Sequence, residues 1–225
     1  MSVTPLYTSS GKFYRTPHGV FVSAGRVVSA LTGETFDHIP LDTLKRAELE
    51  GTGAHRIGCD LALKVMGHLE QVDMPPMPPD YPGDREKWEW AMFESHKSLV
   101  GFFDEYEVEP IAVEQPDVSV ALGVAGQPDI KALIKPASRI LKKVTAVLDY
   151  KRVAGISKGH HLKLQLYRML DGFKDCKAGY IVWLKKDGGF KLIHVKNDPS
   201  DQAALISMAN VLRWQKMNGI FVTPH

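Results

Sequence analysis

Residues 144–151 read V-T-A-V-L-D-Y-K, and this stretch determines the predicted fold because it joins a strand signal to two charges. Its first five residues are apolar or β-branched, which is typical of a buried strand. Residues two apart on a strand point to the same face, so Asp149 and Lys151 are predicted to lie side by side. Two charges at the end of an apolar strand are costly to bury unless a metal ion or a phosphate engages them. The stretch therefore indicates a site suited to metal-assisted attack on a phosphodiester.

The charge distribution predicts a polyanionic partner for one part of the chain. The 225 residues carry a net charge of only +2. Residues 70–117 nevertheless contain 13 acids against 3 bases, whereas residues 135–196 contain 15 bases against 4 acids. A basic segment around the candidate site favours DNA as the partner. The alternative is that both charge runs are ordinary solvated faces.

Length and composition limit the class of protein. The chain is 44% hydrophobic and 24% charged, as in ordinary globular domains. No apolar run approaches the ~20 residues of a membrane span, and the N-terminus lacks the features of a signal peptide. Cys59 and Cys176 are too few for a four-cysteine zinc or iron–sulfur site, and a disulfide between them is possible but not indicated. We therefore expect a cytoplasmic protein without a membrane partner.

The predicted elements begin with helices and continue with strands. Five helices are expected: 41–50, Thr52 as N-cap to Leu69, Asp84 as N-cap to Phe103, 157–170 and 199–217. Six strands are expected: 108–114, 118–122, 128–134, 144–151, 180–185 and 190–195. The proline-rich connector 74–83 favours an extended spacer between two helices. Residues 1–40 are assigned no chemistry and are expected to add a helix or strand that covers the core.

This order of elements predicts the fold class. Helices, then strands, then a helix, a hairpin and a helix indicate an α/β or α+β fold with a central mixed β-sheet flanked by helices. We expect one domain over 1–225. Within it, 1–105 are mainly helical, 106–196 carry the catalytic sheet and helix, and 197–225 supply the closing helix.

Three Asp-x-Lys triplets compete for the site. Asp175/Lys177 lies in a polar stretch that is predicted to be a loop, and it is set aside. Asp129 begins a strand about twenty residues before Asp149, so adjacent strands could bring the two carboxylates together. They would repel each other unless a divalent cation lay between them, and oxygen ligands favour Mg²⁺ or Mn²⁺. His55 taken alone is an ordinary surface or packed histidine and becomes a ligand candidate only beside other ligands.

The helix after residue 151 is expected to face DNA. A cation at the carboxylates would polarise the scissile phosphate and lower the pKa of a bound water, while Lys151 would orient that water or neutralise charge on the phosphorane. Gln165 could hold a phosphate or the Lys151 side chain. From spacing alone, a structural Asp–Lys ion pair beside an unrelated surface helix remains the alternative. The side chains expected near the DNA backbone are Lys158, His160, His161, Lys163 and Arg168.

Four short motifs, in order along residues 45–196, resemble the PD-(D/E)XK nuclease superfamily, in particular its RecB-like and phage-exonuclease branch. They are Gly51-Thr-Gly-Ala-His55, Gly126-Gln-Pro-Asp129, Asp149-Tyr-Lys151 and the helix with Gln165 and Tyr167. The resemblance implies a restriction-endonuclease-like core in which His55, Asp129, Asp149 and the Tyr150 carbonyl bind one or two metal ions and Lys151 is catalytic. It also implies contacts of Gln165 and Tyr167 with DNA. Glu114 stands where many members carry an acid, although a structural surface acid is an equal alternative.

The last motif departs from the family pattern. If Gln165 is the family glutamine, the tyrosine position is Met169; if Tyr167 is the family tyrosine, Lys163 replaces the glutamine. The cysteine count excludes the branch with an iron–sulfur cluster. No Walker motif is present, so no nucleotide cofactor is expected.

The resemblance implies a metal-dependent DNA exonuclease acting in phage or bacterial recombination, replication or repair, in the cytoplasm of a bacterium or of a phage-infected host. A structure-specific or nicking endonuclease on the same site is the first alternative. A catalytically silent DNA-binding or assembly protein is the second. The expected partner is DNA with linear ends, single- or double-stranded. A recombination or single-strand-annealing protein is a further candidate partner, and an oligomer remains open.

Overall fold

The computed structural model describes residues 3–8, 11–34, 39–135 and 142–220. Part of the basic segment, 136–141, and the last five residues lie outside them. The elements in chain order are β1 (Thr4–Thr8), β2 (Gly11–Thr16), β3 (Gly19–Ser23), α1 (Ala24–Thr32), α2 (Leu41–Val65), α3 (Arg85–Tyr106), β4 (Glu109–Val113), β5 (Asp117–Ser119), β6 (Val124–Gly126), β7 (Ile130–Ile134), β8 (Val144–Lys151), α4 (Lys158–Tyr167), a 3₁₀ turn (Asp171–Phe173), β9 (Ala178–Leu184), β10 (Phe190–His194) and α5 (Pro199–Met217).

The main sheet has the strand order β10-β9-β8-β7-β4 and is mixed. β8 and β9 run parallel, and the other neighbours run antiparallel. β8 occupies the centre because Ala146, Val147 and Leu148 are fully buried. One face of the sheet packs with α2 and α3, and the other with α1, α4 and α5. The predicted mixed sheet flanked by helices is therefore confirmed.

A second sheet, with the order β1-β2-β3-β6-β5, was not predicted. Residues 1–40 contribute its three N-terminal strands as two hairpins. β3 then pairs in parallel with β6, in the register Val22 with Val124. The helical N-terminal part therefore begins with three strands. This sheet lies beside the main sheet and forms one wall of the cleft described below.

The Gly-Thr-Gly stretch is helix interior and not a helix start. α2 runs without a break through it, and Thr52 Oγ1 donates to the Glu48 carbonyl at 2.9 Å instead of capping a new helix. The glycines permit close packing. A Cβ at Gly53 would lie 2.5 Å from Met92 Sδ, and one at Gly58 would lie 2.5 Å from the Tyr150 ring. The predicted N-cap at Thr52 was therefore wrong, and His55 lies in mid-helix.

The remaining boundaries differ from the predictions in small ways. Asp84 caps α3 as predicted by accepting from the Lys87 N–H at 2.8 Å, and α5 has the predicted bounds. The connector 74–83 has no helix or strand, and its Pro75 carbonyl accepts from Trp88 Nε1 at 2.9 Å. α4 ends at Tyr167, three residues earlier than predicted. Within the described ranges, every helix is too short or too polar to cross a bilayer.

Candidate active site

The two carboxylates of the predicted site lie together at the ends of β7 and β8. The antiparallel register pairs Ile130 with Leu148, which places Asp129 next to Asp149 across the two strands. Both are buried, with 5% of Asp129 and 1% of Asp149 exposed. The Tyr150 N–H donates to Asp129 Oδ2 at 2.7 Å. The main chain of β8 therefore fixes the orientation of the carboxylate on the neighbouring strand.

Two lysines face Asp149. Lys151 Nζ forms an ion pair with Asp149 Oδ2 and donates to the Tyr150 carbonyl at 3.0 Å. Lys163 Nζ, from α4, lies 3.7 Å from Asp149 Oδ1. Lys151 lies beside Asp149 as the two-residue spacing predicted, whereas Lys163 adds a second cation to the same carboxylate.

His55 connects α2 to the acids. Its Nε2 lies 2.9 Å from Glu114 Oε1, and its Nδ1 lies 3.2 Å from Asp129 Oδ2. Cys59, one turn further along α2, has its Sγ 3.5 Å from His55 Nε2. Glu114 follows β4 in a left-handed conformation with φ of 45°, and its N–H donates to the Asp129 carbonyl at 2.8 Å. The structure thus brings together the four side chains His55, Glu114, Asp129 and Asp149.

The electrostatics of this group favour a positive charge among the acids. Burial opposes a charge on His55, but hydrogen bonds with Asp129, Cys59 and Glu114 outweigh it and raise the pKa of His55 to about 12. Burial likewise opposes ionisation of Asp129, but the His55 hydrogen bond and the charges of Lys151 and Lys163 lower its pKa to about 2. The hydrogen bond from His55 also lowers the pKa of Glu114. Positive charge is therefore stabilised between these acids.

The donor set fits a divalent metal ion. Both oxygens of Asp149 are fully buried, and each faces a lysine ammonium group, Lys151 at Oδ2 and Lys163 at Oδ1. A buried carboxylate needs cationic partners, and a metal ion would engage the same oxygens. Carboxylate and carbonyl oxygens from Asp129, Asp149 and Tyr150, with one imidazole, are ligands that Mg²⁺ and Mn²⁺ accept. Cys59 adds a thiol beside them, and its pKa is raised by burial.

Five side chains of the site border an open cleft of about 830 Å³, namely His55, Glu114, Asp129, Lys151 and Lys163. Its opposite wall comes from the second sheet and α1, which supply Lys12, Tyr14 and Arg26. Lys12 Nζ lies 5.0 Å from the centre of the Tyr14 ring. Sequence reasoning assigned no chemistry to these residues. The alternation of Lys12 and Tyr14 around the fully buried Phe13 was the available signal, because it places both polar residues on one face of β2.

α4 presents only part of its predicted DNA-binding set to the cleft. Lys163 and Tyr167 line it. Gln165 does not, because it is 2% exposed, donates to Asp201 Oδ2 at 2.8 Å and accepts from the Asp198 N–H at 3.2 Å. It secures the start of α5, so the predicted phosphate contact of Gln165 has no support in its position.

Four further residues of this region also lie away from the cleft lining. Lys158 pairs with Asp201 at 2.6 Å. Arg168 donates to the Asn197 side chain and to the Lys177 carbonyl. His160 Nδ1 accepts from the Ser157 N–H at 2.9 Å and completes a capping box. His161 is half-buried, and burial lowers its pKa. α4 therefore contributes to the cleft chiefly through Lys163.

Tyr167 explains the glycine of the second motif. Its ring packs against Gly126, where a Cβ would lie 2.6 Å from a ring atom. The ring is buried, and Lys163 Nζ lies 5.2 Å from its centre. The Tyr167 ring therefore lies next to the Lys163 ammonium group and also lines the cleft.

Comparisons with known proteins do not identify a family for this chain. No family model matches the sequence, and no curated protein sequence matches it. An alkaline exonuclease (LHK-Exo) from Laribacter hongkongensis is 14% identical, with a TM-score of 0.46 over 88% of this chain and 89% of that chain. The same exonuclease in complex with dAMP gives a TM-score of 0.45. A structure of SSO0001 is 13% identical, with a TM-score of 0.32 over 89% of this chain and 85% of that chain. These figures describe overall likeness and leave the chemistry to be inferred from the side chains.

Proposed function

We propose that this chain is a metal-dependent deoxyribonuclease of the exonuclease type, related to the PD-(D/E)XK nucleases. The observation that supports the proposal best is the convergence of Asp129, Asp149 and Lys151 at one end of β7 and β8, beside an open cleft. His55 and Glu114 complete the group from α2 and β4. The motif resemblance favours the exonuclease type over other nucleases.

The side chains suggest distinct roles. Asp129, Asp149, His55 and the Tyr150 carbonyl would hold the metal ion, which withdraws charge from phosphate oxygens and makes water a better nucleophile at neutral pH. Lys151 donates to the Tyr150 carbonyl at 3.0 Å and so keeps its ammonium at the metal ligands. There it neutralises charge that develops on the phosphate and orients the attacking water. Lys163 supplies a second positive charge at the same carboxylate.

The cleft supplies a path for the substrate. Four basic side chains border it, and their positive charges attract the phosphate backbone of DNA: Lys12, Arg26, Lys151 and Lys163. Linear DNA, single- or double-stranded, is the proposed substrate. A role in recombination, replication or repair, together with a recombination or single-strand-annealing partner, belongs to the same proposal, as does a bacterial or phage-infected cytoplasm.

Cleavage of end-labelled linear DNA beside a closed circle tests the proposal. Each reaction contains Mg²⁺, Mn²⁺ or EDTA, and the enzyme is wild type, Lys151→Ala or Lys177→Ala. Lys177 is an exposed lysine of another Asp-x-Lys triplet and is the matched control. We expect metal-dependent loss of linear DNA alone, reduced on the order of 100-fold or more by Lys151→Ala and unchanged by Lys177→Ala.

The other outcomes are equally informative. Cleavage of the closed circle would replace the exonuclease with an endonuclease on the same site. Intact DNA of every form in both metals would overturn the enzyme proposal. DNA binding that is independent of metal and unaffected by Asp149→Ala would then identify a binding protein.

A further inference from the structure

Cys59 adds to the site a thiol that the proposed nuclease does not use. His55, Cys59 and Glu114 each place a ligand atom within 4.8 Å of the other two. Cys59 lies one helical turn after His55, so both side chains project from the same face of α2. Glu114 reaches the same point from the end of β4. A thiol, an imidazole and a carboxylate therefore meet at one position.

The separations agree with a tetrahedral metal centre. Zinc–sulfur and zinc–nitrogen bonds of about 2.3 and 2.05 Å at a tetrahedral angle separate the two ligand atoms by about 3.5 Å. The distance between Cys59 Sγ and His55 Nε2 is 3.5 Å. Glu114 Oε1 lies 2.9 Å from the same nitrogen, in the position of a third ligand. The side chain of Glu114 is 47% exposed, so it can adjust by the few tenths of an ångström that a bound ion requires.

Asp129 would orient the imidazole of this centre. Its Oδ2 lies 3.2 Å from His55 Nδ1, on the side of the ring opposite Cys59. A carboxylate that accepts from one ring nitrogen directs the lone pair of the other nitrogen at a metal ion. Asp129 is held in turn by the Tyr150 N–H at 2.7 Å. The ring is thus already turned so that Nε2 faces the sulfur.

We propose that His55, Cys59 and Glu114 form a site for thiophilic cations of the Zn²⁺ class, and that its occupation inhibits the nuclease. Thiolate and imidazole select zinc and other soft cations over Mg²⁺, which prefers oxygen. Binding releases two protons to solvent, the thiol proton of Cys59 and the Nε2 proton of His55, and forms a metal–sulfur and a metal–nitrogen bond in their place. Three protein ligands leave a fourth position for water.

The inhibition follows from the shared histidine and rests on the proposed function. A neutral imidazole offers a single lone pair, so His55 cannot serve the soft cation and the productive metal at once. The two occupancies therefore exclude each other.

Cobalt spectroscopy tests the site without reference to cleavage. Co²⁺ is titrated into the metal-free full-length protein, and the thiolate-to-cobalt charge-transfer band in the near ultraviolet is recorded. We expect the band in wild type and in Cys176→Ser, because Cys176 is the other buried free cysteine and lies outside the cluster. The band is lost in Cys59→Ser. Glu114→Gln, at a partly exposed position, keeps the band but needs on the order of tenfold more Co²⁺.

Several results would overturn the site. These are the absence of a band in wild type, its persistence in Cys59→Ser, or its loss in Cys176→Ser. Circular dichroism of each variant establishes that it is folded, and Glu114→Gln supplies a second test if Cys59→Ser does not fold.

A Zn²⁺ titration of DNA cleavage in Mg²⁺ tests the inhibition. Each variant is normalised to its own rate without Zn²⁺. We expect half-inhibition of Cys59→Ser to need at least about tenfold more Zn²⁺ than wild type and Cys176→Ser need. Equal inhibition of all three would overturn the regulatory part. A chain that cleaves no DNA but shows the cobalt band would refute the nuclease and leave the site standing, so the two failures are distinguishable.

Discussion

The Tyr150 N–H donates a 2.7 Å hydrogen bond to Asp129 Oδ2, and this oxygen also lies 3.2 Å from His55 Nδ1. Asp129 directly precedes β7. Its Oδ2 therefore connects the start of β7 to β8 through Tyr150 and to α2 through His55. Because one partner is a main-chain group, the orientation of Asp129 does not depend on any single side chain. Asp129 should therefore be important for both stability and activity, and substitutions can separate the two.

Replacing Asp129 by Asn and by Ala should separate these contributions. Asn keeps an acceptor oxygen for the Tyr150 N–H, whereas Ala leaves that buried donor unpaired, which costs about 1–3 kcal/mol. Urea unfolding should therefore show a larger loss of stability for Asp129→Ala. Both variants remove the anionic ligand and should lower DNA cleavage on the order of 100-fold or more. A wild-type cleavage rate in Asp129→Asn would contradict the role as a metal ligand.

Divalent metal should stabilise the folded protein. Mn²⁺ binds the native site and not the unfolded chain, so at a hundredfold excess over its Kd it should add about 2.7 kcal/mol to the free energy of unfolding. Asp149→Asn, which removes the charge of a buried carboxylate at the proposed metal site, should abolish the increase. Scanning calorimetry with Mn²⁺ and then with EDTA measures both. An equal metal-induced rise in Tm for Asp149→Asn would exclude this carboxylate as a ligand.

Lys163 should contribute chiefly to DNA cleavage, whereas Gln165 should contribute chiefly to stability. Lys163→Met removes a charge 3.7 Å from Asp149 and should lower the cleavage rate by about tenfold to a hundredfold. Gln165→Leu removes the amide donor to Asp201 and the acceptor of the Asp198 N–H, and it should chiefly lower Tm. Cleavage assays and thermal melts of both variants check this. A greater loss of cleavage in folded Gln165→Leu would restore the glutamine as the phosphate contact.

Without metal, the pairing of His55 with Asp129 should stabilise the fold over a defined pH range. The folded pKa of His55, about 12, lies above its ordinary 6.5, so its contribution is full below pH 6.5 and is lost as the pH rises. The folded pKa of Asp129, about 2, lies below 3.8, so its contribution is present above pH 3.8 and lost in acid. In EDTA, the stability difference between wild type and His55→Gln should therefore be largest between pH 3.8 and 6.5. Urea unfolding across the pH range measures it, and a difference that grows toward alkaline pH would contradict the pairing.

The wall formed by the second sheet should contribute to DNA affinity. Lys12→Ala removes one cation from the cleft and should reduce the slope of log K against log salt by about 0.7 to 0.9. Lys45→Ala is the control. Lys45 lies away from the cleft, and its Nζ forms an ion pair of 2.7 Å with Asp80. Fluorescence anisotropy at several salt concentrations, with Ca²⁺ in place of Mg²⁺, gives both slopes. Equal slopes for the two variants would place the DNA elsewhere.

The centre of the site was predictable because its signals are local. The apolar run before Asp149 and the two-residue spacing to Lys151 specify a buried strand and the face of its charges. Asp129 was predictable because it begins the strand that was expected to pair with this one. These residues depend on strand periodicity, which a sequence displays directly.

Which face of α4 lines the cleft could not be predicted, because this helix is buried on several sides. Leu162, Leu164, Gln165 and Leu166 are all buried, so the hydrophobic pattern does not single out one face. The second sheet escaped prediction for another reason. It depends on the pairing of Val22 with Val124, about a hundred residues apart, which local pattern does not encode.

The order of the site residues along the chain, His55, Glu114, Asp129 and then Asp149, has a consequence for biosynthesis. Each comes from a separate element, and the last lies on the central strand, which must also pair with β9. A nascent or truncated chain that ends before β9 lacks the partner that completes the sheet around Asp149. The proposed metal site can therefore be completed only after the polypeptide has been made through β9.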